Sequence, residues 1–382
     1  MRVGQTVLFA GGTYQDEKTG RPVRRLTPPS FRSHHQYFYL NMWTPDSKRV
    51  LISSNREDGC YRHYLVEIET GEAVCLTDAE ELGHHFGELA HDGSHFLYVT
   101  GPELRRRSLA DLTEETVYVQ PEPWTGRSVY YGATASHARA VMVEMHRDDV
   151  VPAKTGWDAF PKQFEARPRC RLVELDLASG EARVIHEDRC WLGHPNYRPD
   201  GRTIMFCHEG PWDRVDSRIW FVDPDGSNLR EGRRRERAPG ELAERWGHEY
   251  WLADSSHAAY VYFPERYGVD GTLRFLDPET LTEEVVMPVP PCSHFLSNRE
   301  NTHVVCDGEA GLSDDLYLLD LATKTSAELC RHGSSMKPYI DPRTGRANTQ
   351  EAHPHPCFSP DGRRVVFTSD REGEPAVYVV EM

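Results

Sequence analysis

A unit of four short strand-like segments recurs along this chain of 382 residues, and that repetition limits the possible folds more than any other property. The clearest copy is YRPDGRTIMFCHEG followed by SRIWFVDPDGSNLRE, over 197–231. Pro199-Asp200-Gly201 reads as a hairpin turn, IWFVD alternates like a strand, and Asp225-Gly226 makes the next turn. The closing copy is FSPDGRRVVFTSD followed by PAVYVVE. The turn between first and second strands falls at Pro45-Asp46-Ser47, Asp92-Gly93, Ser136-His137, Asp200-Gly201, Asp254-Ser255, Arg299-Glu300 and Asp361-Gly362, which makes seven. A second turn recurs in YLVEIETGEAVCLT, LVELDLASGEARVIHE, LRFLDPETLTEEVVM and LYLLDLATKTSAELC. Four-stranded units of this length are propeller blades, so the expectation is an all-β, seven-bladed β-propeller occupying 1–382 as one domain. An open β-sandwich would show no such recurring unit.

Closure of the ring is legible too. Val23-Arg24-Arg25-Leu26-Thr27 matches the fourth-strand segment Ala73-Val74-Cys75-Leu76-Thr77, whereas the last blade has only three strands of its own. The N-terminal segment is therefore expected to join the C-terminal blade and remove its exposed edge. Two inter-turn intervals are long. Their insertions, DDVVPAKTGWDAFPKQFEARPRC and HGSSMKPYIDPRTGRANTQEA, are expected as loops at a channel mouth.

Charge and cysteine usage narrow the partners. The 44 Lys and Arg against 60 Asp and Glu leave a net charge of −16, which argues against nucleic acid or an anionic membrane held by a general field. An anionic ligand would need a local positive site. Nine cysteines, odd in number and without a CxxC pair, read as reduced thiols. The only apolar run near the N-terminus is Val7 to Ala10, too short for a signal peptide or a span, so a soluble cytoplasmic protein is expected. None of this sets an oligomeric state.

In a propeller the first strand of each blade lines the axis. Four consecutive blades place a histidine six residues before the first-turn acidic position: His194 before Asp200, His248 before Asp254, His294 before Glu300 and His355 before Asp361. His85, seven before Asp92, is a near match. Equal offsets mean equal depth, so these imidazoles are expected to converge at one channel end. His353 and His355 would share a face of one strand, continued by Cys357. One such histidine alone would read as a hydrogen-bonded core residue; four at one offset with a His-x-His pair read as a site. Three imidazoles with an oxygen from Gln350 or Glu351 suit a first-row divalent ion with open positions. Cys357 reads as a small core residue in preference to a thiolate ligand. In CHEGPWDRVDSRIW, polar residues cluster as His208, Glu209, Arg214 and Arg218, and Arg218 could reach the channel mouth or form an ordinary salt bridge.

These motifs carry a resemblance. LTPPSF, HQYFYL, WLGHPNYRP, FCHEGPWDRVDSRIW, GHEYW, PPCSHFLSN, QEAHPHPCFSPDG and FTSDREGEPAVY span nearly the whole chain, and together it resembles the oligogalacturonate lyases, cytoplasmic seven-bladed propellers of pectin catabolism. FCHEGP and HPHP in register with the blades are the specific signals; a generic TolB-like propeller shares only the PDG turns. The resemblance implies that His294, Gln350, His353 and His355 hold manganese, that His248 is the general base and that Arg218 contacts substrate, with His194 and His208 as secondary substrate contacts. HHFGEL, CYRHYL and the stretch 331–349 depart from the family pattern, which bears on chain length and fine specificity.

The implied chemistry suits these residue types. In β-elimination from a uronide, a base removes the C5 proton while the C4 oxygen leaves. A divalent ion on the carboxylate stabilises the enolate-like transition state, an arginine adds a bidentate contact, and a neutral histidine takes the proton near neutral pH. Two other readings compete: a lyase for another uronide, such as rhamnogalacturonan oligosaccharides, and a non-catalytic TolB-like binding propeller. A third, a propeller attached to a serine hydrolase, is not expected, since these residues show no Gly-x-Ser-x-Gly elbow and leave no length for a catalytic domain.

Overall fold

The computed structural model describes residues 2–78, 82–126, 131–151, 156–212, 214–235, 244–340, 347–348 and 352–382. Seven antiparallel sheets of four or five strands, with one two-stranded ribbon, make up almost all of its regular structure. That is the composition of a seven-bladed β-propeller.

The chain divides into two compact units. The first, Met1–Thr116, Pro290–Lys337 and Gln350–Met382, holds blades 1, 2, 6 and 7 apart from the end of one outer strand. Blade 6 runs Cys292–Ser297, His303–Gly308, Asp315–Asp320 and Thr325–Arg331. In blade 7 the chain's own strands, Cys357–Phe358, Arg364–Ser369 and Ala376–Glu381, are joined by Pro22–Arg25, with Val23 opposite Val380 and Arg25 opposite Tyr378. The expected closure is present, and it goes further than the sequence suggested. Gly12–Gln15 adds a fifth strand outside Pro22–Arg25, and Thr6–Leu8 adds a fifth strand to blade 1 against Glu72–Cys75.

The second unit, Val117–Val289 with Pro338–Thr349, holds blades 3, 4 and 5. Blade 3 ends in the outer strand Ala182–Arg189. Blade 4 runs Leu192–Tyr197, Ile204–His208, Ile219–Val222 and Arg230–Glu231, and blade 5 begins with Arg245–Trp251 and Ala258–Phe263. Middle strands are covered on both faces and so read as continuous apolar runs: all six residues of AAYVYF in Ala258–Phe263 are buried. Each such Val, Leu or Phe contributes roughly 1.5–3 kcal/mol of burial.

The seven first turns share one geometry. Ser47, Gly93, His137, Gly201, Ser255, Asn301 and Gly362 each donate N–H to the carbonyl three residues back, at 2.8–3.0 Å. All seven are left-handed, with φ between 50° and 74°. Glycine takes that conformation without strain, and Asn, Ser and His carry it in the remaining copies.

The insertion around 156 differs from expectation. It contains an α-helix, Gly156–Ala166, in place of a loop. Phe160, Gln163 and Phe164 recur at helical spacing: Phe160 packs edge-on to Trp191 at 4.8 Å, Gln163 is fully buried, and Phe164 lies under the Arg214 guanidinium at 4.9 Å. Part of the second insertion, 341–346 and 349–351, falls outside the described residues.

Candidate metal centre and active site

The histidines at the common offset occupy a shared local irregularity. Pairing between first and second strands slips between Gly193 and Asn196, between Gly247 and Tyr250, and between Cys292 and Phe295. His194, His248 and His294 sit in these bulges. His194, His248 and also His355 are left-handed, at φ 48°, 59° and 45°. A bulge breaks the ladder locally and re-aims one side chain out of the sheet, which is how an inner strand presents an imidazole. The side chain of His85 lies outside the described residues.

In the first unit, His294, His353 and His355 converge, with one potential donor atom from each lying within 4.8 Å of the others. The His294 and His355 Nε2 atoms are 3.1 Å apart. The His-x-His pair reaches this point differently from the expected strand alternation: the strand begins only at Cys357, and the left-handed residue His355 folds the pair together. Asp307, on the second strand of blade 6, organises the cluster. Its carboxylate accepts from the His294 backbone N–H at 2.6 Å, from His294 Nδ1 at 2.9 Å and from the His355 backbone N–H at 3.2 Å. Burial alone would raise the Asp307 carboxyl, but the His294 ring and these hydrogen bonds outweigh it and hold the carboxyl below its ordinary value. With its Nδ1 proton on Asp307, His294 directs the Nε2 lone pair at His355.

The remaining surroundings are apolar or neutral. The His355 ring meets Tyr37 edge-on at 4.9 Å and Phe38 at 6.0 Å. His35 Nε2 bonds the Pro354 carbonyl at 2.9 Å and pins the turn between the paired histidines. Burial pushes His353 down to about 3, and the neighbouring His294 ring acts in the same direction, so the His353 ring is neutral at physiological pH. Its buried Nδ1 has no hydrogen-bond partner among the described residues. Facing imidazole nitrogens and an orphaned buried nitrogen, held by a carboxylate behind them, form a donor set that a divalent cation satisfies. Cys357 takes the bland reading: its thiol is pushed up to about 12 by burial and lies among Trp43, Val366 and Val377 in the core. Gln350 and Glu351 lie outside the described residues.

The second unit carries the other candidates. Arg218 is buried between two carboxylates, donating from its Nη1 to Glu209 at 2.7 Å, from Nη2 to both Glu209 and Glu249 at 3.3 and 3.4 Å, and from Nε to Glu249. Burial works against the Arg218 charge, but the two glutamates more than compensate and keep it well above its ordinary value. His194 Nε2 lies 3.2 Å from Glu209, which links it to the arginine. Arg218 also lines a small cavity with Gly210, Trp212, Val215 and Trp246. Trp212 packs over Gly247, where a Cβ would meet its ring at 2.8 Å, and touches His248 edge-on at 5.7 Å. His248 Nε2 hydrogen-bonds the Tyr267 hydroxyl at 2.8 Å.

His208 does not join this group. Along Ile204–His208 the alternation turns Phe206 and His208 away from Cys207. The His208 ring stacks on Trp220 at 4.6 Å and belongs with His186 and Asp188 of blade 3.

A family model described as oligogalacturonate lyase matches residues 1–382. The chain belongs to the oligogalacturonate lyase family. It is 36% identical over 400 residues to an oligogalacturonate lyase of Dickeya dadantii (strain 3937), covering 100% of this chain and 98% of that one. A solved oligogalacturonate lyase in complex with manganese superposes with a TM-score of 0.92 at 36% identity, covering 100% of this chain and 98% of the other. The oligogalacturonate lyase of Vibrio parahaemolyticus does so with a TM-score of 0.89 at 37% identity over the same shares. Membership makes the chain an enzyme of the polysaccharide lyase class and leaves the non-catalytic reading without support.

Within this lyase, four residues that contact the candidate groups escape the offset argument: Asp307, Glu249, Tyr267 and His35. A weak signal exists for two of them. Asp307 is the one acidic residue in the apolar strand HVVCDG, and Glu249 the one in RWGHEYW, where a buried carboxylate must have a partner.

Proposed function

We propose that this lyase cleaves short oligogalacturonides, digalacturonate among them, by β-elimination, with a divalent metal held by His294, His353 and His355 and by Gln350. The observation that carries the reading is the three-imidazole cluster backed by Asp307. Manganese is the expected ion, in keeping with the manganese complex of the similar solved lyase. Bound there, it supplies Lewis acidity toward the uronate carboxylate and lowers the barrier to C5 deprotonation.

The chain's own groups do the rest. His248, presented by its bulge, takes the C5 proton, and the Tyr267 hydroxyl hydrogen-bonded to Nε2 holds the ring in orientation. Arg218 supplies positive charge toward the anionic sugar, held in orientation by Glu209 and Glu249, with His194 steadying Glu209. His208, on the opposite face of blade 4, stands outside this substrate site. A local cationic centre reconciles an anionic substrate with a net charge of −16. We also take 1–382 to act as one domain, and the nine free cysteines support a reducing, cytoplasmic setting; no helix among the described residues is long and apolar enough to cross a membrane.

The test is turnover of digalacturonate with and without added manganese, followed by chromatography of the remaining dimer. Manganese-dependent loss is expected. His248→Ala should abolish it with metal content intact, and His355→Ala should lower bound metal. Loss of a rhamnogalacturonan-derived uronide with no loss of digalacturonate would move the assignment to that substrate, and full activity in His248→Ala would remove the base.

A further inference from the structure

Blade 3 carries a second donor cluster that the lyase reaction does not use. His186 and Asp188 are two apart on the outer strand Ala182–Arg189, so they share a face. His208 ends the second strand of blade 4 and turns toward them, and one donor atom from each of the three lies within 4.8 Å of the others. The spread suits a shared ion after small side-chain movements, since donors about 2 Å from a first-row cation sit roughly 3–4 Å from one another.

The surroundings fix this cluster and leave it short of partners. Trp220 stacks on the His208 ring at 4.6 Å and 18°, and Phe206 lies 5.4 Å from His186. The buried His208 Nε2 has no hydrogen-bond partner among the described residues. Burial lowers both rings, His208 to about 4, so both are neutral and keep a lone pair at physiological pH. Asp188 is exposed and supplies the anionic oxygen at the open side. Two neutral imidazoles and one carboxylate, with solvent to complete the shell, select a borderline divalent ion such as zinc.

We propose that His186, Asp188 and His208 form a second cation site of zinc type, which ties the outer strand of blade 3 to the second strand of blade 4. Its role is structural. It adds to a contact between two sheets already made by aromatic and aliphatic packing and by the Arg183 guanidinium on the Pro224 carbonyl at 2.8 Å.

The experiment uses the full-length chain, stripped with a chelator and re-exposed to zinc alone. Bound ions are counted by elemental analysis after gel filtration, and folding of each variant is checked by circular dichroism. Wild type should retain two zinc ions per chain. His186→Gln and Asp188→Asn, at accessible positions, should retain one. His355→Ala should also retain one, and the double variant His186→Gln/His355→Ala none. In the His355→Ala background, zinc should raise the thermal midpoint by several degrees, and adding His186→Gln should erase that shift. One zinc in wild type, or two in His186→Gln, would overturn the site. Zinc bound without a thermal shift in His355→Ala would overturn the staple. Lyase activity of His186→Gln is expected to equal wild type, so failure of this site and failure of the lyase reading give different results.

Discussion

Asp307 accepts the Nδ1 proton of His294 at 2.9 Å from a position with no solvent exposure, and the same carboxylate reaches the backbone N–H of His355. One buried anion thus orients two imidazoles from successive blades. Asp307→Asn keeps the size but offers an amide donor where donors already converge. Manganese affinity, read by titration calorimetry, should fall about 10–100-fold. Unchanged affinity would show that packing alone holds the rings.

Arg218 and its two glutamates form a buried group in which one cation stands between two anions. Arg218→Met leaves Glu209 and Glu249 facing each other without a cation, and this should cost about 3–5 kcal/mol in urea unfolding. Turnover should be lost as well. The double variant Glu209→Gln/Arg218→Met should recover part of the stability and none of the turnover.

Tyr267→Phe removes the hydroxyl at 2.8 Å from His248 without emptying the space it fills. The expected result is a drop in kcat on the order of tenfold, short of the 10²–10⁴ that a general base supplies, with bound manganese unchanged. A change confined to KM would assign Tyr267 to substrate binding and not to the base.

Stability should depend on pH through His35. Burial depresses it to about 4 from 6.5, so between those values the unfolded chain binds a proton that the folded chain refuses. Its contribution is fully present above pH 6.5 and is lost as the pH falls toward 4, on the order of 3 kcal/mol in all. Urea midpoints measured across this window should decline, and His35→Gln should flatten the decline.

The repeat was legible because blade geometry imposes it on sequence, yet only Gly93, Gly201 and Gly362 mark the turns openly. Ser47, His137, Ser255 and Asn301 adopt the same left-handed conformation without a distinctive residue, so those copies were found by spacing. The offset of the histidines was readable for the same reason. Their bulges were not, because a slipped pairing depends on the partner strand. The partners of the histidines were least legible. Asp307 lies 13 residues from His294 and 48 from His355, and Glu249 lies 31 from Arg218, separations at which nothing local links the pairs. The helix at Gly156–Ala166 was obscured by Pro161 and its flanking glycine, and tertiary burial of Phe160 and Gln163 decided it.

The pairing of Pro22–Arg25 with Ala376–Glu381 also sets an order of events. During synthesis the first segment emerges hundreds of residues before this partner, with only its hairpin mate Gly12–Gln15 to pair with until Ala376–Glu381 follows. Blade 7 thus carries a loop-closure cost that the blades built from consecutive strands do not. Once made, it acts as a clasp: Ala376–Glu381 cannot leave blade 7 without parting from a strand that lies more than three hundred residues earlier.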